Sequence, residues 1–478
     1  MWLFYLLLGA VAVLLGTLLV RAVNFRPTPQ PKNDAQPISF HQDGAIAALQ
    51  QLIQCRTVSN SDAGIEDESE FEKLYHLLPK LYPLVFERCS VQRFPERGLL
   101  FCWPGASKDA PSVMMAHYDV VDADEGQWQK PPFQGVIEDG HLWGRGTLDT
   151  KATFSGILYA ANHLMEQGFI PHNDIYFAFS GSEEVNGKGA QYIVDFFQKN
   201  HIHPALVLDE GGAVVENVFP GVHRPCALVG IGEKGMMNVA YSVHSSGGHA
   251  SAPPPQSPVE LLSRACLQVK SHPFPMKISP AAKALFNTLG RHSGFFYKII
   301  FSNLGFFRPV LDLICRRTGG ELDALVRTTT AFTQMEGSPG RNVLPTQARM
   351  VCNMRLNPGD TVTDAEAYLK KIVNDSRVDI QVLESFEASP TSRTDCHAYR
   401  LISSTISQLW PQAIVSPYLM VQCSDARHYG SLCDRVYRFC PMELTAEERK
   451  TIHGNNEKIP LVTITKIVEF YIRLMQQC

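Results

Sequence analysis

From about Phe40 the chain alternates between two hydrophobic textures. Segments such as "DGAIAALQQLIQC" and "ESEFEKLYHLLPKLYPLV" repeat apolar residues every three or four positions, which predicts helices. Between such segments, "GLLFCWPG", "SVMMAHYD", "DIYFAFSGSEE" and "ALVLDEGG" are short and apolar on both faces. That pattern predicts strands buried inside a sheet with helices on both sides. "KATFSGILYAANHLMEQGF" and "GKGAQYIVDFFQKN" supply helices between the strands. The alternation predicts an α/β fold with a parallel or mixed sheet.

Past "GEKG" (Gly232–Gly235) the pattern changes. "MNVAYSVHS" alternates apolar and polar, as a strand of a one-sided sheet does. A helix follows at "SPVELLSRACLQVKS", then strands at "ALVRTTTAFTQME", "QARMVCNMRL" and "DIQVLESF", with the helix "TDAEAYLKKIVND" before the last. Strand–helix–strand–strand–helix–strand is the order of a ferredoxin-like α+β sandwich. An apolar insertion, "FFYKIIFSNLGFFRPVLDLICRR", lies within about 273–325 and is too large for a loop. The α/β texture then resumes. The expected organisation is one domain of 40–232 and 387–478, interrupted by a second of 233–386.

The N-terminus stands apart. Trp2 to Val20 carries no charge, and Arg21 closes the run. At about 1.5 Å per residue it is long enough to cross a hydrocarbon core of about 30 Å. It lacks the basic start and small-x-small site of a cleaved signal, so residues 1–22 are expected to form an uncleaved single-pass anchor, with secretion after cleavage as the alternative. The Pro-rich stretch over 23–39 reads as a tether. Arg21, Arg26 and Lys32 after the span favour a cytoplasmic position for that side, but the short uncharged start leaves the orientation open. The 12 cysteines are scattered without C-x-x-C pairs and read mostly as buried thiols. A net charge of −4 gives no basic field, so a nucleic-acid partner is not expected.

Polar residues gather at strand ends. His117 and Asp119 follow "SVMMA", Asp149 precedes a helix in "GRGTLDTKA", Glu183 and Glu184 follow "IYFAFSGS", and Asp209 and Glu210 follow "ALVL". In an open α/β sheet those ends share one edge, where ligands bind. Carboxylates crowded at a few ångströms raise one another's pKa, and divalent cations relieve the conflict. A metal pair about 3.5–4 Å apart fits, with one bridging carboxylate and a His and a carboxylate on each side. Asp149, between the others in the chain, suits the bridge. The second imidazole is assigned to His453 in "TIHGNNEKIP", with His428 as the alternative.

The motifs "AHYDVV", "GRGTLDTKA", "SEEVNGKGA", "LDEGG", "GEKG", "SGGHAS", "GRNVLPTQA" and "IHGNNE" occur in this order. Together they resemble the di-zinc metallopeptidases that include aminoacylase, acetylornithine deacetylase, succinyl-diaminopimelate desuccinylase and carboxypeptidase S. The resemblance runs from roughly Phe40 to the end. "SDARHY", "YRFCP", the apolar insertion and the N-terminal span are similar to the carboxypeptidase S and N-fatty-acyl-amino-acid synthase/hydrolase branch.

The resemblance implies that His117 and Asp209 hold one metal, Glu184 and His453 the other, and that Asp149 bridges them beside a cis peptide to Thr150. Asp119 would orient His117, and Glu183 would be the general base. His249 would reach the oxyanion across a dimer formed by the 233–386 lid. Asn342, Arg355 and Arg427 would meet the substrate. Two zinc ions per subunit are implied, with cobalt or manganese as substitutes. The expected activity is hydrolysis of N-acyl amino acids, fatty-acyl ones included, or of short peptides with a free C-terminal carboxylate. A carboxypeptidase or dipeptidase, and a metal-free binding protein on the same fold, are the alternatives. Phe295, Phe296, Phe306 and Phe307 of the insertion would close a structural layer, wall an acyl chain, or dip into the bilayer beside the anchor.

Overall fold

The structure is a computed structural model that describes residues 1–28 and 36–478; residues 29–35 of the expected tether, Lys32 among them, lie outside the described residues. The α/β part is built on a ten-stranded mixed sheet. Strands Gly98–Trp103, Asn173–Ser180, Ser107–His117, Leu206–Asp209 and Val436–Arg438 lie side by side in that order. The last four run parallel, with His117 beside Ser180, Met114 beside Leu208, and Leu208 beside Tyr437. Their carboxyl ends therefore reach one edge of the sheet.

Period-two alternation sorts the side chains between two cores. Phe101, Met114, Ala116, Phe177 and Phe179 face the helices Lys151–Glu166 and Leu461–Met475, meeting Phe154, Ile157, Ile467 and Phe470. Leu100, Val113, Met115, Tyr176 and Ala178 face the opposite way, onto Ile193, Val194 and Phe197 of Gly189–Lys199. Edge-on aromatic pairs lock both sides: Phe154–Phe179 at 4.6 Å and Tyr176–Phe197 at 5.0 Å between ring centres. Such pairs add about 0.5–1.5 kcal/mol beyond the area they bury.

A separate antiparallel sheet runs in the order Thr329–Glu336, Gln347–Leu356, Gly235–His244, Asp379–Phe386. Helices Pro258–Ser271 and Val362–Val373 pack on it through Leu261, Leu262, Ala365 and Leu369, against Val239, Tyr241, Met350 and Cys352. The apolar insertion forms helices Pro280–Gly290, Phe295–Phe301, Leu304–Thr318 and Gly320–Ala324. Although it falls inside the 233–386 stretch, its buried residues Ala282, Leu285, Phe286, Leu289 and Phe301 join the core of the large sheet. Chain order does not decide which layer an apolar helix face covers. The N-terminal helix Trp2–Asn24 is long and apolar enough to cross a membrane, and only Leu18 and Ala22 of it are buried. All 12 cysteines are unpaired, and seven are buried.

A residue near the C-terminus holds the loop that carries Asp149. The Glu457 carboxylate accepts hydrogen bonds from the backbone N–H of Gly146, Leu148 and Asp149 at 3.1, 2.6 and 3.3 Å. It also pairs with Arg145 Nη1 at 2.7 Å, and both side chains are buried. Removing one member of such a pair strands the other charge away from water. Glu457→Ala should therefore destabilise the protein by about 3–5 kcal/mol. Urea unfolding checks this, and a loss under about 1 kcal/mol contradicts the role given to the pair.

Candidate metal centre

His117 ends its strand almost fully buried, 2% exposed, and its ring is engaged from both sides. Nδ1 lies 3.0 Å from the Asp119 carbonyl oxygen and 3.4 Å from Asp119 Oδ1. Nε2 faces Asp149 Oδ1 at 3.0 Å and Glu210 Oε2 at 3.5 Å. The other oxygen of Asp149, Oδ2, lies 3.1 Å from His453 Nε2, which is also 3.0 Å from Glu184 Oε2. Asp149 thus presents one oxygen to each imidazole. The peptide from Asp149 to Thr150 is cis.

Asp119 organises more than His117. Its carboxylate accepts the N–H groups of Glu183 and Glu184 at 3.2 and 3.1 Å and the Ser59 hydroxyl at 2.7 Å. One buried carboxylate therefore sets both the imidazole and the start of the Glu183–Val185 turn. Two sets of donor atoms within 4.8 Å of one another result: His117, Asp149 and Glu184, and His117, Glu183 and Glu210.

Asp209 is not part of this cluster, contrary to the ligand role expected for it. Its Oδ2 accepts the Ala426 N–H at 2.8 Å on the far side of the strand end. Adjacent residues on an extended strand point to opposite faces, so the neighbour, Glu210, delivers its carboxylate to His117. The sequence "LDEGG" offers two acids, and only the register of the strand tells them apart. His428 also stays out: it is half-buried on the Asp425–Ser431 turn, and desolvation together with Arg427 lowers its pKa to about 4.

The electrostatics show what the cluster lacks. Burial raises the pKa of Glu183, Glu184 and Glu210, the last to about 8. Burial also opposes a charge on His117, yet the Glu210, Asp119 and Asp149 carboxylates outweigh it and raise the imidazole well above its usual value. Hydrogen bonds to Asp149 and Glu184 raise His453 to about 10. Despite burial, the two imidazoles hold Asp149 far below the usual carboxylate range. The site calls for positive charge on both sides of Asp149. Imidazole nitrogens and carboxylate oxygens are the donors that zinc and similar divalent ions take, so the residues present fit a metal pair.

The cluster borders a chamber of about 920 Å³. Asp149, Glu183, Glu184, Glu210 and His453 line it together with the apolar Val218, Phe219, Leu285, Leu289, Tyr297 and Leu325 and the charged Glu321 and Arg449. Phe295, Phe296, Phe306 and Phe307 are not in its wall, and Phe295, Phe296 and Phe306 are exposed. Cys423 is in the wall, and two arginines converge on the turn it starts. Arg355 Nη1 lies 3.0 Å from Cys423 Sγ, and Arg427 Nη1 donates to the Ser424 carbonyl at 2.8 Å. His249 and Asn342 lie elsewhere, exposed on a two-stranded ribbon that pairs His249 with Val343.

The sequence pattern of Peptidase family M20/M25/M40 matches residues 113–477. The chain belongs to this family. It is 34% identical over 449 residues to the Dictyostelium discoideum protein named Probable carboxypeptidase S-like 2, covering 92% of this chain and 86% of that one. It is 32% identical over 483 residues to the Homo sapiens N-fatty-acyl-amino acid synthase/hydrolase PM20D1, covering 98% and 95%. The solved Sulfolobus solfataricus metallo-carboxypeptidase Sso-CP2 shares the fold, with a TM-score of 0.68, 15% identity and coverage of 91% and 98%. The protein is accordingly a metal-dependent hydrolase of the M20 family.

The exchange of Asp209 for Glu210 can be tested directly. Glu210→Gln should lower the bound metal from about two ions towards one, whereas Asp209→Asn should keep the wild-type content. Metal analysis of the purified variants decides it, and the reverse outcome restores Asp209 as the ligand.

Proposed function

We propose that the protein is a membrane-tethered di-zinc amidohydrolase that cleaves N-fatty-acyl amino acids. The observation that carries this reading is the continuity of the chamber. Carboxylates and an imidazole share one wall with a group of apolar side chains, alongside the charged Glu321 and Arg449. Its volume of about 920 Å³ lies at the upper end of the ~300–1,000 Å³ typical of ligand pockets. Val218, Phe219, Leu285 and Leu289 suit an acyl chain and disfavour the charged amino terminus of a dipeptide. That lining sets the reading above a carboxypeptidase or dipeptidase.

His117 and Glu210 would hold one zinc, Glu184 and His453 the other, and Asp149 would bridge them. Bound there, the metals would supply Lewis-acid polarisation of the amide carbonyl and acidify the attacking water. Asp119 keeps the His117 ring turned so that Nε2 faces the site. Arg355 and Arg427 receive the free carboxylate of the amino acid beside Cys423, a task suited to guanidinium forks. That places the amide between them and the apolar side chains.

Glu183 takes the proton of the attacking water and passes it to the amide nitrogen as the carbon–nitrogen bond breaks. The products are a fatty acid and a free amino acid, and the reverse reaction joins them. His249 is the oxyanion donor brought by a second copy of the chain through the lid sheet. Its Nδ1 accepts the Ser251 N–H at 3.1 Å, which leaves the proton of the neutral ring on Nε2, ready to donate.

Two expectations test this reading. Glu183→Gln should retain metal and lose about two to four powers of ten in turnover, because the amide cannot accept the proton. Wild-type turnover by that variant removes Glu183 from the mechanism. Along N-acyl amino acids of growing chain length, kcat/KM should rise by up to about four-fold per methylene, from roughly 0.8 kcal/mol each. Leu289→Trp, which fills the chamber, should end the rise at shorter chains and leave N-acetyl substrates unaffected. A wild-type enzyme indifferent to chain length contradicts the acyl assignment.

A further inference from the structure

The helices that wall the chamber on one side carry a second apolar face on the other. On Leu304–Thr318, Leu311 and Cys315 point inward and are buried. Phe306, Val310, Leu313 and Ile314 fall together on a different face, at i, i+4, i+7 and i+8, and all are exposed. On Phe295–Phe301, Phe301 is buried against Phe219, with 4.7 Å between ring centres, whereas Phe295 and Phe296 are 54% and 70% exposed. A structural layer accounts for the buried set and not for the exposed one. A contiguous exposed patch of this kind marks an interaction surface.

The N-terminal helix tells what covers it. That helix docks on the same elements through its last turns. Asn303 Nδ2 donates to the Leu18 carbonyl at 3.2 Å, and the Arg291 guanidinium stands 4.6 Å from the centre of the Phe25 ring and donates to the Arg26 carbonyl at 3.0 Å. Residues before Leu18 project from the body, exposed and uncharged. Arg21, the first charge, lies within one turn of the Leu18 contact. If the apolar run spans a bilayer, the membrane surface passes at the level of Leu18–Arg21, which is the level of the Phe295–Phe301 helix. The charge agrees: between Ala281 and Thr318 stand Lys283, Arg291, Lys298, Arg308, Arg316 and Arg317 against the single acid Asp312. Basic residues beside an apolar helix face favour an anionic lipid surface.

We propose that helices Phe295–Phe301 and Leu304–Thr318 lie in the bilayer interface as a second membrane contact beside the N-terminal anchor. Tyr297, stacked on the buried Phe301, lines the chamber, so the same helix carries both the chamber wall and the exposed Phe295 and Phe296. The contact therefore sets the chamber against the lipid phase in which a fatty-acyl substrate dissolves. The proposal rests on the anchor reading of Trp2–Asn24, not on the chemistry of the metal centre.

The test uses the full chain, reconstituted in vesicles of phosphatidylcholine with a minor fraction of phosphatidylserine, containing a phospholipid with a photoreactive acyl chain. After irradiation, labelled peptides are mapped by mass spectrometry. Label is expected both on 2–20 and on 295–314. Label on 2–20 alone overturns the second contact and leaves the anchor standing. Label on neither overturns the anchor as well, without touching the amidohydrolase reading. The combined Phe296→Ser, Phe306→Ser and Leu313→Ser variant should lower labelling of 295–314 by at least about five-fold. Labelling of 2–20 and hydrolysis of a short, water-soluble N-acyl amino acid should not change. Unchanged labelling of 295–314 in that variant assigns the face to something other than lipid and overturns the proposal.

Discussion

The site rests on a charge balance around one carboxylate. Asp149 turns one oxygen to His117 and the other to His453, while Glu183, Glu184 and Glu210 crowd the same space. Four acids cannot stay ionised there with only two imidazoles to answer them. The two histidines are drawn towards their charged forms, and three of the four acids towards their neutral ones. A pair of divalent cations, one on each side of Asp149, would satisfy all six groups at once.

Much of the surrounding fold holds those groups against their mutual repulsion. The parallel strands bring His117, the Glu183 turn and Glu210 to one edge. Asp119 ties His117 to the backbone of Glu183 and Glu184, so the ring and that turn share one support. Glu457 reaches back across 312 residues of chain to pair with Arg145 and hold the loop that presents Asp149. Neither Asp119 nor Glu457 needs to touch substrate to matter. On the other side, one group of helices separates the chamber from the exposed apolar face, so their inner and outer residues meet different surroundings.

The α/β texture, the alternating strand of the second sheet and the gathering of acids at strand ends were legible because periodicity and strand direction determine them. His117, Asp149, Glu184 and His453 come together as their positions in the motifs suggest. Asp209 and Glu210 differ by one residue, and which faces the site depends on strand register, which composition does not encode. The support from Glu457 was hidden because its partners lie more than 300 residues away and are mostly backbone N–H groups. The phenylalanine pairs of the insertion stood out by composition. Yet Leu285, Leu289 and Tyr297 line the chamber, because helix rotation decides which face turns inward. His249 and Asn342 share an exposed ribbon away from the cluster, a placement that chain order does not reveal.

The central claim is that Asp149 separates two metals, with His117 and Glu210 on one side and Glu184 and His453 on the other. Crystals of the zinc-loaded protein, measured at the zinc absorption edge, test it most directly. The account predicts two anomalous peaks about 3.5–4 Å apart flanking the Asp149 carboxylate, with Glu210 within bonding distance of one. A single peak, or a peak ligated by Asp209 instead of Glu210, would contradict it.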